Sequence, residues 1–96
     1  MKKAYWIAKY KKINNLEALG KYAERAKKVI EAFGGKSLVR GGKYVIFEGE
    51  DFIRTVIWEF EHIDVAINCH NSKDYQEAWS LAKNIVVRDL MIVEGV

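Results

Sequence analysis

LVRGGKYVIFEGEDFIRTVIWEF, residues 38–60, holds two extended runs joined by a turn. The first run starts at Lys36. Gly41-Gly42 interrupts it, and the pair predicts a bulge or sharp bend because Tyr44-Val45-Ile46-Phe47 resumes strand-like composition. Glu48 to Phe52 predicts a tight loop into a further strand, Ile53 to Phe60, so that the two strands form an antiparallel hairpin. Thr55-Val56-Ile57-Trp58-Glu59-Phe60 is apolar on both of its alternating faces, and a strand with two apolar faces has to be covered twice.

The flanking segments say what does the covering. Ala4 to Tyr10 predicts a first strand, with Ala4, Trp6, Ala8 and Tyr10 to one side and Tyr5, Ile7 and Lys9 to the other. Asn14 and Glu17 form a capping box, and Leu16, Leu19, Ala23, Ala26, Ile30 and Phe33 make the apolar stripe of the helix that follows, stopped by Gly34-Gly35. A second helix opens at Glu61 to Asp64, Asn71-Ser72 breaks it, and Ser72 caps a third with Tyr75, Ala78, Trp79 and Ala82 on its apolar side. Leu90 to Glu94 reads as the last strand. The expected fold is α+β: a ferredoxin-like βαββαβ chain with a four-stranded antiparallel sheet, its first and third strands central and its helices on one face. The opposite face still carries apolar residues. A second copy packed sheet to sheet covers them, so a homodimer is expected.

Composition narrows the classes. Ninety-six residues suit one domain, 1–96, and half are apolar, which suits a globular chain rather than a disordered one. The net charge of +3 comes from lysines at Lys2-Lys3, Lys9 to Lys12 and Lys27-Lys28, with no arginine-rich stripe, so no nucleic-acid partner is expected. A single cysteine, Cys69, excludes an internal disulfide and a cysteine-built zinc site. His62, Cys69 and His70 lack a completing carboxylate, so no metal and no cofactor are expected. No apolar run reaches membrane-spanning length and Lys9 cuts short any leader-like core, which points to a soluble, cytoplasmic protein with no membrane partner.

Leu38-Val39-Arg40-Gly41-Gly42, Glu48-Gly49, Arg54, Glu59-Phe60, Asn71-Ser72 with Tyr75, and the terminal Ile92-Val93-Glu94-Gly95-Val96 resemble the signature of DUF1330, a domain-of-unknown-function family. The likeness runs over essentially the whole chain. It departs from the family pattern at Lys73, where proline is common, at His70, where an aromatic is common, and at Trp79 and Leu81, where an arginine is common. The resemblance implies the dimeric α+β barrel superfamily, hence sheet-to-sheet dimers, and no established activity.

The polar residues set against these apolar faces are the candidates for chemistry. Arg40, beside two glycines, can bind a carboxylate or phosphate, or it can pair with Glu48 or Glu94 to hold the bend. His70 is the candidate general base, and Glu59, which breaks an apolar strand, its acidic counterpart; a buried Glu59 needs Arg54, Arg88 or another donor. Asn71, Tyr75 and Trp79 join Arg40 as ligand-binding candidates, whereas Ser72 is explained as a helix cap. Two functions follow. One is a homodimeric small-molecule-binding protein or cofactor-independent acid–base enzyme, with a cleft between sheet and helices. The other is a structural or interaction module in which the same residues hold the bend and the helix break.

Overall fold

The computed structural model describes residues 1–96. Alternation along the first strand decides its geometry. In β1 (Ala4–Ile13), Ala4, Trp6, Ala8 and Tyr10 are all buried on one side, while Tyr5 and Ile7 are half-buried on the other. β1 pairs antiparallel along both of its edges, with β3 (Arg54–Phe60) and with β4 (Val86–Glu94). β2 (Lys36–Arg40) adds outside β3, which gives the order β2-β3-β1-β4 expected of the ferredoxin-like fold.

Three helices cover the Trp6 side of the sheet: α1 (Leu16–Ala32), α2 (Ile63–Asn71) and α3 (Lys73–Trp79). α2 lies against β1, β3 and β4, whereas α1 runs alongside α3 and approaches no strand as closely. The core between the layers holds Trp6, Phe60, Ile30, Cys69 and Tyr75, all nearly or fully buried. Alanines at positions 4, 8, 66, 78 and 82 admit these large neighbours. Burial alone pushes the Cys69 thiol up to about 12, leaving it an inert packing group.

Several local expectations are corrected. The cap of α1 is Asn15, whose Oδ1 accepts from the Ala18 N–H at 3.0 Å, and not Asn14. β1 runs on past a bulge at Tyr10/Lys12 to Ile13, and the Asn14 N–H is drawn to the Ile85 carbonyl at 2.7 Å, so the helix begins one residue later. Its buried face is Leu19, Tyr22, Ala26 and Ile30, with Tyr22 in place of the expected Ala23 and with Leu16 exposed. β4 begins at Val86 rather than Leu90, because the extended β1 supplies a partner that far. The second run of the opening stretch forms no strand. Gly41, at φ 61°, turns the chain out of β2, and Tyr44, Val45, Ile46 and Phe47 stand exposed in a connection without helix or strand. The far end of that connection is held by β1: the Ile53 N–H bonds to the Tyr10 carbonyl at 2.8 Å, Glu50 pairs with Lys11 at 3.1 Å, and the Phe52 ring lies under the Lys9 ammonium.

The face away from the helices carries an apolar row through every strand: Val39, Ile57, Ile7 and Met91 are register neighbours across β2, β3, β1 and β4. Val39 and Met91 are exposed, as is Val93 opposite Tyr5 in the next row.

Stability separates the observed cap from the expected one. Asn15→Ala is expected to lower the unfolding free energy by about 1 kcal/mol and Asn14→Ala by much less, measured by urea denaturation.

Candidate functional site

Register gathers the arginines. On the helix-facing side, Arg54, Tyr10 and Arg88 stand side by side across β3, β1 and β4. The neighbouring row is Arg40, Val56, Ala8 and Leu90, and the next contains Trp58, Trp6 and Ile92. Directly opposed residues in antiparallel strands lie about 5 Å apart, so three charges separated by tens of residues in sequence meet at one end of the sheet.

α1 roofs this region, with its Leu19, Tyr22, Ala26 and Ile30 packed into one core with Trp6, Ala8, Tyr10 and Trp58. The small side chains of Ala8 below and Ala23 above leave room beside them. The result is a cleft of about 200 Å³ with an apolar floor of Trp6, Val56 and Trp58. Arg40, Arg54, Arg88 and Lys27 reach it, against a single carboxylate, Glu24. None of the three arginines makes an ion pair; the acidic groups that pair do so with lysines or with Arg25.

Arg88 is the most constrained of the three. Its Nη1 donates to the Tyr10 hydroxyl at 3.2 Å and to the Tyr22 hydroxyl at 3.1 Å, and its Nη2 donates to the Tyr75 hydroxyl at 2.8 Å. The guanidinium carbon lies 3.7 Å from the centre of the Trp79 ring, a close cation–π contact. Burial works against its charge, but the surrounding tyrosine oxygens outweigh that and hold the guanidinium firmly protonated. Tyr22 and Tyr75 share a hydrogen bond of 2.7 Å, and burial, above all, raises the pKa of both phenols. Arg54 owes its place to Gly41: a Cβ there would run into the Arg54 guanidinium, and the positive φ of Gly41 disfavours a side chain in any case.

The expected candidates do not share one site. Arg40 lines the cleft, with its guanidinium 5.9 Å from the Trp58 ring and no partner in Glu48 or Glu94. Tyr75 and Trp79 lie behind Arg88 and hold it. Glu59 is on the opposite face of the sheet, where Lys3 and the Tyr5 hydroxyl each approach it at 3.3 Å, so neither Arg54 nor Arg88 serves it. His70 packs its ring against Trp6 and Tyr75, with Nδ1 at 2.9 Å from Oδ1 of the exposed Asn71, and neither His70 nor Asn71 lines the cleft. Ser72 caps α3, accepting from the Tyr75 N–H at 3.1 Å. Five polar residues at the cleft were not among the candidates: Arg54, Arg88, Tyr22, Glu24 and Lys27. Alternation carried the signal for the strand residues, since Arg54 is in phase with Val56 and Trp58, and Arg88 with Leu90 and Ile92. Starting the last strand at Leu90 left Arg88 outside it.

The raised phenol pKa values set an alkaline limit. A group that is harder to ionise when folded contributes its stability below its unfolded pKa, here 10.0, and loses it as the pH climbs toward the folded value. Urea midpoints are therefore expected to hold up to about pH 10 and fall above it, with a shallower fall in Tyr22→Phe.

The comparisons agree with this architecture. The crystal structure of the RPA0582 protein of unknown function from Rhodopseudomonas palustris matches at a TM-score of 0.79 with 16% identity, covering 99% of this chain and 83% of that one. A dimeric ferredoxin-like protein of unknown function from Bacteroides fragilis matches at 0.66 with 12% identity, covering 97% and 96%. A dimeric ferredoxin-like protein from Thermobifida fusca matches at 0.65 with 11% identity, covering 98% and 92%. At such identities the likeness speaks to the fold. No curated protein sequence matches. The model of the family described as Domain of unknown function (DUF1330) matches residues 3–96, so the chain belongs to the DUF1330 family.

Proposed function

We propose that the protein is a homodimer that binds a small molecule in the cleft between α1 and the sheet. The observation that carries this reading is a set of three arginines, without carboxylate partners, at the edge of an apolar cleft of about 200 Å³. Uncompensated charge beside apolar surface is costly in a folded chain unless something else meets it, and pockets of this make-up hold ligands. The second reading, a structural module, calls for Arg40 paired to a glutamate and His70 bonded to backbone, whereas Arg40 has no ion pair and the His70 ring bonds to the Asn71 side chain.

The dimer is supported by surface chemistry. The row Val39, Ile57, Ile7 and Met91 lies on the uncovered face, and Tyr44 to Phe47 present further apolar surface beside β3. Contiguous apolar area of this kind marks an interaction face, and two of the structural relatives are dimers. A second copy set sheet to sheet covers it and gives the dimeric barrel. For acid–base chemistry in the cleft, the side chains within reach are the phenols of Tyr10 and Tyr22 with Glu24 and Lys27, since His70 and Glu59 face elsewhere. No helix is long and apolar enough to cross a membrane, which is compatible with a cytoplasmic site of action.

Native mass spectrometry of the protein purified from its own host tests both parts: a dimer carrying bound small-molecule mass is expected, and an empty, folded monomer would overturn them. Ile57→Glu sets a carboxylate at the centre of the apolar row and is expected to shift the sedimentation coefficient from dimer to monomer, with the far-ultraviolet circular dichroism of each subunit retained.

A further inference from the structure

We infer that the cleft takes a small organic carboxylate, its carboxylate seated on Arg88, Tyr10 and Tyr22 and its apolar body laid along Trp6, Val56 and Trp58. This rests on the reading of the cleft as a ligand site and adds the chemical class of the ligand.

The hydrogens of the Arg88 cluster outnumber its acceptors. A guanidinium offers five N–H donors and accepts nothing, and each phenol offers one O–H. Arg88 spends three donors on Tyr10, Tyr22 and Tyr75, which leaves its Nε–H and one Nη2 hydrogen. Between Tyr22 and Tyr75 one hydroxyl donates to the other. With Tyr75, which is fully buried behind the cleft, donating to Tyr22, the hydroxyl hydrogens of Tyr22 and Tyr10 have no acceptor within the chain. The cluster thus has more donors than acceptors, and the residues with unspent donors, Arg88, Tyr10 and Tyr22, are those that line the cleft. What is missing is an acceptor-rich, negatively charged group.

Shape and surroundings select among anions. The free Nε–H and Nη2 edge of a guanidinium matches the two oxygens of a planar carboxylate. Phosphate sites are built largely from backbone N–H groups in glycine-rich turns and at helix starts. The floor of this cleft is made of strands paired on both sides, β1 and β3, whose backbone donors are already taken. The space corresponds to roughly seven water volumes at ~30 Å³ each, room for an acid of about seven to ten non-hydrogen atoms. Arg40 and Arg54, about 10 Å or more across the sheet from Arg88, add positive potential that draws an anion inward.

The test compares phenylacetate, phenylacetamide and inorganic phosphate on the purified wild-type protein by isothermal titration calorimetry, with quenching of tryptophan fluorescence as a second readout. Phenylacetate is expected to bind at least about tenfold more tightly than its neutral amide, the difference that one charge-assisted hydrogen bond supplies. Tyr22→Phe and Arg88→Lys are each expected to weaken the acid more than the amide and so erode that preference; should Arg88→Lys fail to fold, Tyr10→Phe replaces it. Equal binding of acid and amide, or phosphate binding as tightly as the acid, overturns the carboxylate assignment but leaves the cleft a ligand site. Silence from all three probes, together with an empty protein in native mass spectrometry, overturns the ligand site itself.

Discussion

β1 is bonded along both edges, and that constraint organises the molecule. A strand held on two sides cannot rotate, so its alternation sends every second residue to a set face. Trp6, Ala8 and Tyr10 must go to the helices, and Tyr5 and Ile7 to the open face. The register with β3 and β4 then passes that assignment outward, which is how Arg54 and Arg88 come to flank Tyr10 and how Ile7 becomes the middle of an apolar row. Helix face and open face are two outputs of one pairing.

The cleft follows from how that strand is roofed. Ala8 keeps the floor low under α1, which packs on it with Leu19, Tyr22, Ala26 and Ile30 and runs alongside α3. Closing the cleft would drive Arg88 and Arg54 into apolar surroundings, where an unmatched charge loses more than packing returns. The tyrosines resolve part of this conflict. Their oxygens accept from Arg88 without cancelling its charge, and Trp79 covers its face. A carboxylate in their place would neutralise the site; phenols keep it positive.

Much of the fold was legible in the residues. Helix and strand order, the central place of β1 and β3, the helix break at Ser72 and the apolar open face all rest on local periodicity, which chain neighbours alone display. Where reading failed, a long-range partner had intervened. Tyr44 to Phe47 have the composition of a strand, but Gly41, with its N–H on the Thr55 carbonyl and Arg54 against it, turns the chain out of β2 before they can pair. Asn14 with Glu17 reads as a capping box, but the Ile85 carbonyl takes the Asn14 N–H and Asn15 caps the helix. His70 and Glu59 stood out as lone polar residues in apolar runs, yet the sheet places Glu59 on the far face and Trp6 with Tyr75 occupies His70.

By itself the sequence determined the periodicities, and through them the layer order and the apolar open face of the sheet, while its motifs carried the likeness to the family. Only the tertiary structure decided which charges meet. Arg40, Arg54 and Arg88 are far apart in the chain, and no pattern of neighbours states that Arg54 and Arg88 will share a cross-strand row or that Gly41 will make way for a guanidinium. Periodicity is a property of residues two, three or four apart, which any stretch carries with it. A charge cluster is a property of register between strands, and register exists only once the sheet has formed.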